Sequence, residues 1–283
     1  MLVLLLGCEP SPSTGLGVTV PTAQNATAVP ASRFVGPRDG HGVQGCGATD
    51  PVSLLVAGTY GWRVLSVAGD GVRLPDGRSV SLGDAKDLCV ITELAGRWEE
   101  AAAVAQLRCG VRPETEVLVA MDVDARVGSV TALRGALGRG GVDRAHIRLL
   151  VRDDTPGAPV TRAVPADGRQ PLTLARTNRG WAVLSSSADL PYEETDLSGA
   201  VAIVAEAGAP VVFALDPGLP WFSAASMLDA LAGVGIEPSF AHPVRDGDPL
   251  PPAPAATFVG DARIALGDTV GVLAWPGEAW SSP

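Results

Sequence analysis

Residues 117–142 read VLVAMDVDARVGSVTALRGALGRGGV, and residues 211–236 read VVFALDPGLPWFSAASMLDALAGVGI. The two stretches align without a gap at an offset of 94, with seven of 26 positions identical. Most other positions exchange one apolar residue for another. A self-match at fixed offset is the mark of an internal duplication. In the first stretch Val117–Met121 is a continuous apolar run of strand length, as in a strand with at least one covered face. After Asp122, the residues Val127, Val130, Leu133, Ala136 and Leu137 recur at helical spacing, which predicts an amphipathic helix over 128–138. Gly140-Gly141 ends it, because glycine takes a left-handed cap cheaply. Ile147–Val151 is the next strand. The second stretch gives a strand at Val211–Leu215, a helix at Ser223–Ala232 and a glycine cap at Gly235. A short strand at Pro238–Pro243 follows, and its prolines predict an edge position. Each copy therefore holds a βαβ unit with a right-handed crossover.

Upstream the match continues in pieces. Trp98-Glu99-Glu100 meets Tyr192-Glu193-Glu194 at the offset of 94. Gly61-Trp62-Arg63-Val64-Leu65-Ser66 meets Gly180-Trp181-Ala182-Val183-Leu184-Ser185 at an offset of 119. These matches predict earlier strands at Trp62–Val67 and Trp181–Ser186, each followed by a helix, at about 97–107 and 196–206. They also predict 25 extra residues in the first copy. The extra residues include Gly69 to Val80, whose Asp76-Gly77 turn between apolar runs signals a hairpin.

The flanks have a different composition. Leu5-Leu6-Gly7-Cys8 resembles a bacterial lipobox, the signal cut before a cysteine that becomes lipidated. Residues 9–50 are rich in Pro, Ser, Thr, Gly and Ala, which predicts a disordered tether. The expected order of parts is then a signal remnant over 1–8, the tether over 9–50, an α/β domain over 51–152 and a linker over 153–170. A shorter α/β domain over 171–244, a linker over 245–256 and a C-terminal β-hairpin over 257–283 complete it. A lipobox implies a bacterial periplasmic address, anchored to a membrane by lipid. Glu9, in place of Asp after the cysteine, favours the outer membrane over the inner.

The 283 residues are 46% hydrophobic and 18% charged, enough apolar content for a core and too little charge for a long coiled coil. A net charge of -10 argues against a general nucleic-acid binder. Charge is uneven, with 13 basic and 12 acidic residues over 51–152 against 4 and 11 over 153–244. The two copies are thus expected to present different outer faces to partners.

Strand, Asp, short loop, amphipathic helix, Gly-Val or Gly-Ile and strand is a pattern that resembles the periplasmic domain of ExbD/TolR proteins. The hairpin Val72-Arg73-Leu74-Pro75-Asp76-Gly77-Arg78-Ser79-Val80 is similar to that family's early strands. The resemblance covers residues 52–152 in the first copy and 171–243 in the second. It implies two tandem small α/β domains and binding to peptidoglycan or to a protein of an envelope complex. It also implies an intramolecular pseudo-dimer. The family's N-terminal transmembrane helix, with its proton-coupling Asp, has no counterpart in this sequence. An accessory role in an ExbB/ExbD-type transport complex driven by the proton gradient is the alternative.

Chemistry-bearing residues are sparse. Asp122-Val123-Asp124 after an apolar strand has the form of a phosphatase nucleophile loop, where two carboxylates serve as nucleophile and acid/base. The second copy reads Asp216-Pro217-Gly218 and lacks the second carboxylate, so a turn-forming role is favoured and no catalytic residue is assigned. Trp62, Trp181 and Trp221 are candidate stacking residues for a sugar ligand, against core packing as the alternative. With Cys8 lipidated, Cys89 and Cys109 form the favoured disulfide pair and Cys46–Cys89 its rival. Ser129 and Ser223 fall where helix caps are expected. No cofactor fingerprint or zinc spacing is present, so neither a cofactor nor a metal is expected.

Overall fold

The computed structural model describes residues 17–30, 63–75, 77–109, 115–152, 169–185, 193–241, 249–250 and 269–278. Two mixed sheets and four α-helices account for them. The first unit runs β2 (Val64–Ala68), β3 (Gly71–Arg73), β4 (Ser79–Ser81), α1 (Ala85–Cys109), β5 (Val117–Met121), α2 (Gly128–Arg139) and β6 (Ile147–Val151). The second runs β7 (Leu172–Arg176), β8 (Trp181–Ser185), β9 (Glu193–Thr195), α3 (Leu197–Ala207), β10 (Val211–Phe213), α4 (Trp221–Gly233) and β11 (Ser239–Phe240). The succession of elements is the same, and so is the strand order: β6-β5-β2-β3-β4 in one sheet and β11-β10-β7-β8-β9 in the other. In each, three parallel strands are followed by an antiparallel pair.

This correspondence corrects the upstream alignment. The offset of 119 equated the Trp62 strand with the Trp181 strand. In the structure β2 corresponds to β7, and β8 corresponds to β3. The hairpin at 71–81 forms, but it is not an insertion, because β8–β9 is its counterpart. The extra length of the first unit lies in α1, which has 25 residues against 11 in α3. Trp98-Glu99-Glu100 is inside α1, whereas Glu193 and Glu194 are on β9, so that match is also accidental.

The flanking segments are built into the sheets. β1 (Thr27–Pro30) and β12 (Thr269–Ala274) extend the first sheet in the order β1-β12-β6, both pairings antiparallel. β13 (Gly277–Glu278) pairs with β11 in the second sheet. Three expectations are thereby corrected. Residues 17–30 are not a disordered tether. Within the C-terminal segment the described residues 269–278 do not form a hairpin, because their two strands belong to different sheets, and the rest of 257–283 lies outside the described residues. β11 is not the outermost strand, because β13 covers it. The 245–256 linker also makes a defined contact, since buried Leu250 donates its N–H to the Leu82 carbonyl at 2.9 Å.

Both faces of the first sheet are covered. Val117, Val119 and Met121 of β5 face one core together with Leu133, Leu137 and Ile91 of the helices. Leu118 and Ala120, on the other face, pack with Val18, Val20 and Val29 of the N-terminal segment and Val272 of β12. Side chains alternate across a strand, so an unbroken apolar run is what a doubly covered strand requires. The second sheet is less enclosed: β10 has Val212 only half-buried between buried Val211 and Phe213.

Candidate functional site

The two units meet at equivalent loops, those that follow β5 and β10. Val127 N–H donates to Leu219 O at 2.8 Å, and Trp221 N–H donates to Ala125 O at 2.6 Å. Gly128 N–H donates to Pro217 O at 2.9 Å, and Phe222 N–H donates to Val123 O at 3.0 Å. Within each pair of bonds the residues exchange under the offset of 94. The centre of the pattern is an antiparallel bridge between Arg126 and Pro220, themselves mates. These bonds relate the units by a local two-fold axis, the isologous geometry of a symmetric dimer. They also satisfy the first amide groups of α2 and α4, which have no acceptor inside their own helices.

The aspartates that end the strands shape these loops. Asp122 Oδ1 accepts from Asp124 N–H at 3.0 Å, and Asp216 Oδ1 accepts from Gly218 N–H at 2.7 Å, the same turn in both units. Asp122 Oδ2 also accepts from Thr19 N–H at 2.8 Å and so anchors the N-terminal segment. Engagement of both oxygens by backbone amides supports a turn-forming Asp122 rather than a nucleophilic one. Asp124 is exposed beside it.

The remaining sequence candidates fall apart in space or outside the described residues. Trp181 is 4% exposed and Trp221 1% exposed, so neither ring offers a face to a ligand, and both stacking assignments are corrected to core packing. Trp181 lies 6.2 Å from Phe213, with the Arg176 guanidinium 5.6 Å from its ring centre. Trp221 occupies the seam, at the position of Val127 in the first unit. Trp62, Cys8 and Cys46 lie outside the described residues. Cys89 and Cys109 both belong to α1. Twenty residues of helix rise about 30 Å, whereas bridged cysteines need Cα atoms less than about 7 Å apart. The Cys89–Cys109 disulfide is therefore corrected, and Cys89 is an exposed free thiol. The serines do not cap their helices either. Ser129 Oγ donates to Gly69 O at 3.1 Å, tying α2 to the β2–β3 turn, and α4 follows Pro220 with no side-chain cap. A cap the sequence reading missed is Asp196, which accepts from Gly199 N–H at 2.8 Å at the start of α3. An Asp directly ahead of the apolar run over 197–204 is the signal that was available.

A second feature lies at the other end of α4 from the seam. A cavity of about 120 Å³ opens between the C-terminal end of α4, the turn into β11, strand β12 and the N-terminal segment. Leu228, Ile236 and Leu273 supply apolar walls, and Asn25, Thr27 and Glu237 are its polar members. Asn25 is fixed there, because its N–H donates to Asp229 Oδ1 at 2.7 Å and its Nδ2 to Asp229 O at 3.2 Å. Trp275 also lines the cavity, and its indole nitrogen is buried without a hydrogen-bond acceptor.

Among the described residues no group of three or more His, Cys, Asp or Glu side chains is arranged to hold a metal ion. No helix among them is long and apolar enough to cross a membrane. Comparison with family models, with curated proteins and with solved structures gave no match to this chain.

Proposed function

We propose that the chain is a non-enzymatic, lipid-anchored protein of the bacterial envelope that binds peptidoglycan or a protein of an envelope complex. Its two units act as an intramolecular pseudo-dimer of ExbD/TolR-like domains. The observation that carries this reading is the seam. Two units of one strand order are joined about a local two-fold by loops that are themselves mates. A homodimeric binding module is the simplest source of such an arrangement, because gene duplication and fusion preserve an isologous interface within one chain. The ExbD/TolR resemblance supplies the ligand class, since domains of that kind are associated with dimerisation and peptidoglycan contact. The lipobox-like Leu5-Leu6-Gly7-Cys8 supplies the anchor.

The test is co-sedimentation of the chain from residue 17 onward with purified peptidoglycan sacculi. Saturable pelleting is the expected result. Pelleting no better than that of an inert protein of similar charge sinks the peptidoglycan reading. Crosslinking of the lipidated chain in its own envelope then seeks a protein partner.

A further inference from the structure

We infer that residues 17–30 are a releasable strap that sets how far the folded body stands from its lipid anchor. The segment holds on to both units at once. Thr19 N–H donates to Asp122 Oδ2 at 2.8 Å, and Val123 N–H donates to Thr19 O at 2.8 Å, both at the loop after β5. Ala23 N–H donates to Arg152 O at 3.0 Å, and Arg152 N–H donates to Pro21 O at 2.9 Å, just past β6. The amides of Gln24 and Asn25 both donate to the Asp229 carboxylate on α4, at 3.0 and 2.7 Å. β1 then pairs with β12. Ala23 and Ala26 join the larger core that both units share, whereas Val18, Val20 and Val29 join the smaller one on the opposite face of the first sheet.

This hold is broad but weak at each point. The strap buries no apolar side chain larger than valine, whereas the units bury leucines, Phe213 and Trp221. Stabilisation scales with the apolar area removed from water, so each strap contact contributes less than a core contact. Segments of that kind open below the global unfolding free energy. The contacts also follow chain order, from Thr19 through Asn25 to β1. A pull from the N-terminal side therefore loads them one after another. Release bares Leu118, Ala120 and Leu150, and the cost of that exposure draws the strap back when the pull ends.

Chain length turns release into distance. Gly17 stands nine positions after Cys8, and Arg63 stands fifty-five after it. A chain spans at most about 3.5 Å per residue, so a docked strap keeps the body within about 30 Å of a lipidated Cys8, and a released one raises the limit to about 190 Å. A partner inside the first limit is met with the strap closed, and a more distant one draws it off. The fixed point at Cys8 rests on the lipid-anchor reading, whereas the strap rests on its own contacts.

The experiment pulls on single molecules of the unlipidated full chain in optical tweezers. One handle is at the N-terminus and the other at Arg144, an exposed residue of the first unit. The expected record has two transitions. The first, at low force, is reversible and lengthens the molecule by up to about 160 Å, the reach of the chain from Gly17 to Arg63. The second, at higher force, unfolds the units. Asp229→Ala removes the acceptor for the Gln24 and Asn25 amides, so it should lower the first force and leave the second in place. Val20→Ser, which weakens the hold from the strap side, should act in the same direction. A record with one transition only overturns the inference, and so does a first transition that both variants leave at the parent force. Lipidation is read separately, from the mass of the chain isolated from its own envelope. An unmodified Cys8 removes the fixed point and with it the claim about reach, whereas a single transition removes the strap and leaves the anchor reading standing.

Discussion

Among the described residues, the central strand β5 of the first unit is buried on both faces, whereas its counterpart β10 is half-buried on one, although both units follow one succession of elements. The mates Leu118 and Val212 show the difference at one position. Leu118 is fully buried beneath the N-terminal segment, and Val212 is half-buried. A second pair shows its counterpart in the helices. Gly140, at the end of α2, lies so close to α1 that an added Cβ would sit 2.3 Å from Ala95 Cβ and 2.5 Å from Thr92 O. Its mate Val234 is 40% exposed, because α3 is too short to reach the corresponding place. The lesson is that a duplicated fold keeps its strand order while each copy adjusts to what covers it.

Paired substitutions break or sharpen that contrast. Leu118→Ala should lower unfolding free energy by about 4 kcal/mol, and Val212→Ala by about 1 kcal/mol. Urea midpoints measured side by side decide this, and equal losses would mean that the two sheets are equally enclosed. Gly140→Val should cost about 3 kcal/mol by forcing α1 and α2 apart. The reverse change at its mate, Val234→Gly, should cost less than about 1 kcal/mol. A Gly140→Val protein as stable as the parent would contradict the close helix approach. Asp122→Ala removes two accepted hydrogen bonds, against the single turn bond of Asp216. Expected losses are about 2 and 1 kcal/mol, and hydrogen exchange at Thr19 should quicken in the first variant alone. The smallest effect belongs to Cys89→Ser, within about 0.5 kcal/mol. Cys89 should react with a thiol reagent without prior reduction, and a Cys89 that reacts only after reduction would restore a disulfide partner.

The half of each unit with a long apolar run and a periodic helix was legible in the sequence. β5, α2 and β6, with β10 and α4, fall within a few residues of expectation because continuous burial and helical spacing both mark them. The other half misled. β3, β4 and β9 have three residues each, too few for periodicity to outweigh the chance agreement of Gly-Trp and Leu-Ser at the offset of 119. The sequence predicts α1 only over about 97–107, whereas the helix begins at Ala85 and runs through Gly96. In the structure an added Cβ at Gly140 would lie 2.9 Å from the Gly96 nitrogen, so a helix interior glycine here marks close packing. Residues 17–30 read as a tether on composition. Three valines at 18, 20 and 29 nevertheless suffice to roof one face of a sheet.

The seam was half legible. The offset of 94 named the mates, but nothing in composition says that mates will hydrogen-bond to each other. The tryptophans show the same limit, since a recurring Trp fits a core as well as a binding face. Only burial separates the two, and it assigns Trp181 and Trp221 to the core.

β12 takes its partners from opposite ends of the chain, with Thr27 opposite Val272 on one side and Leu149 opposite Leu273 on the other. β12 must therefore arrive before β1 can pair with it. Contacts of such sequence separation form late and slowly, because the closure entropy of the intervening chain comes before any reward. A chain that emerges N-terminus first from a ribosome thus keeps its first sheet incomplete until β12 is free.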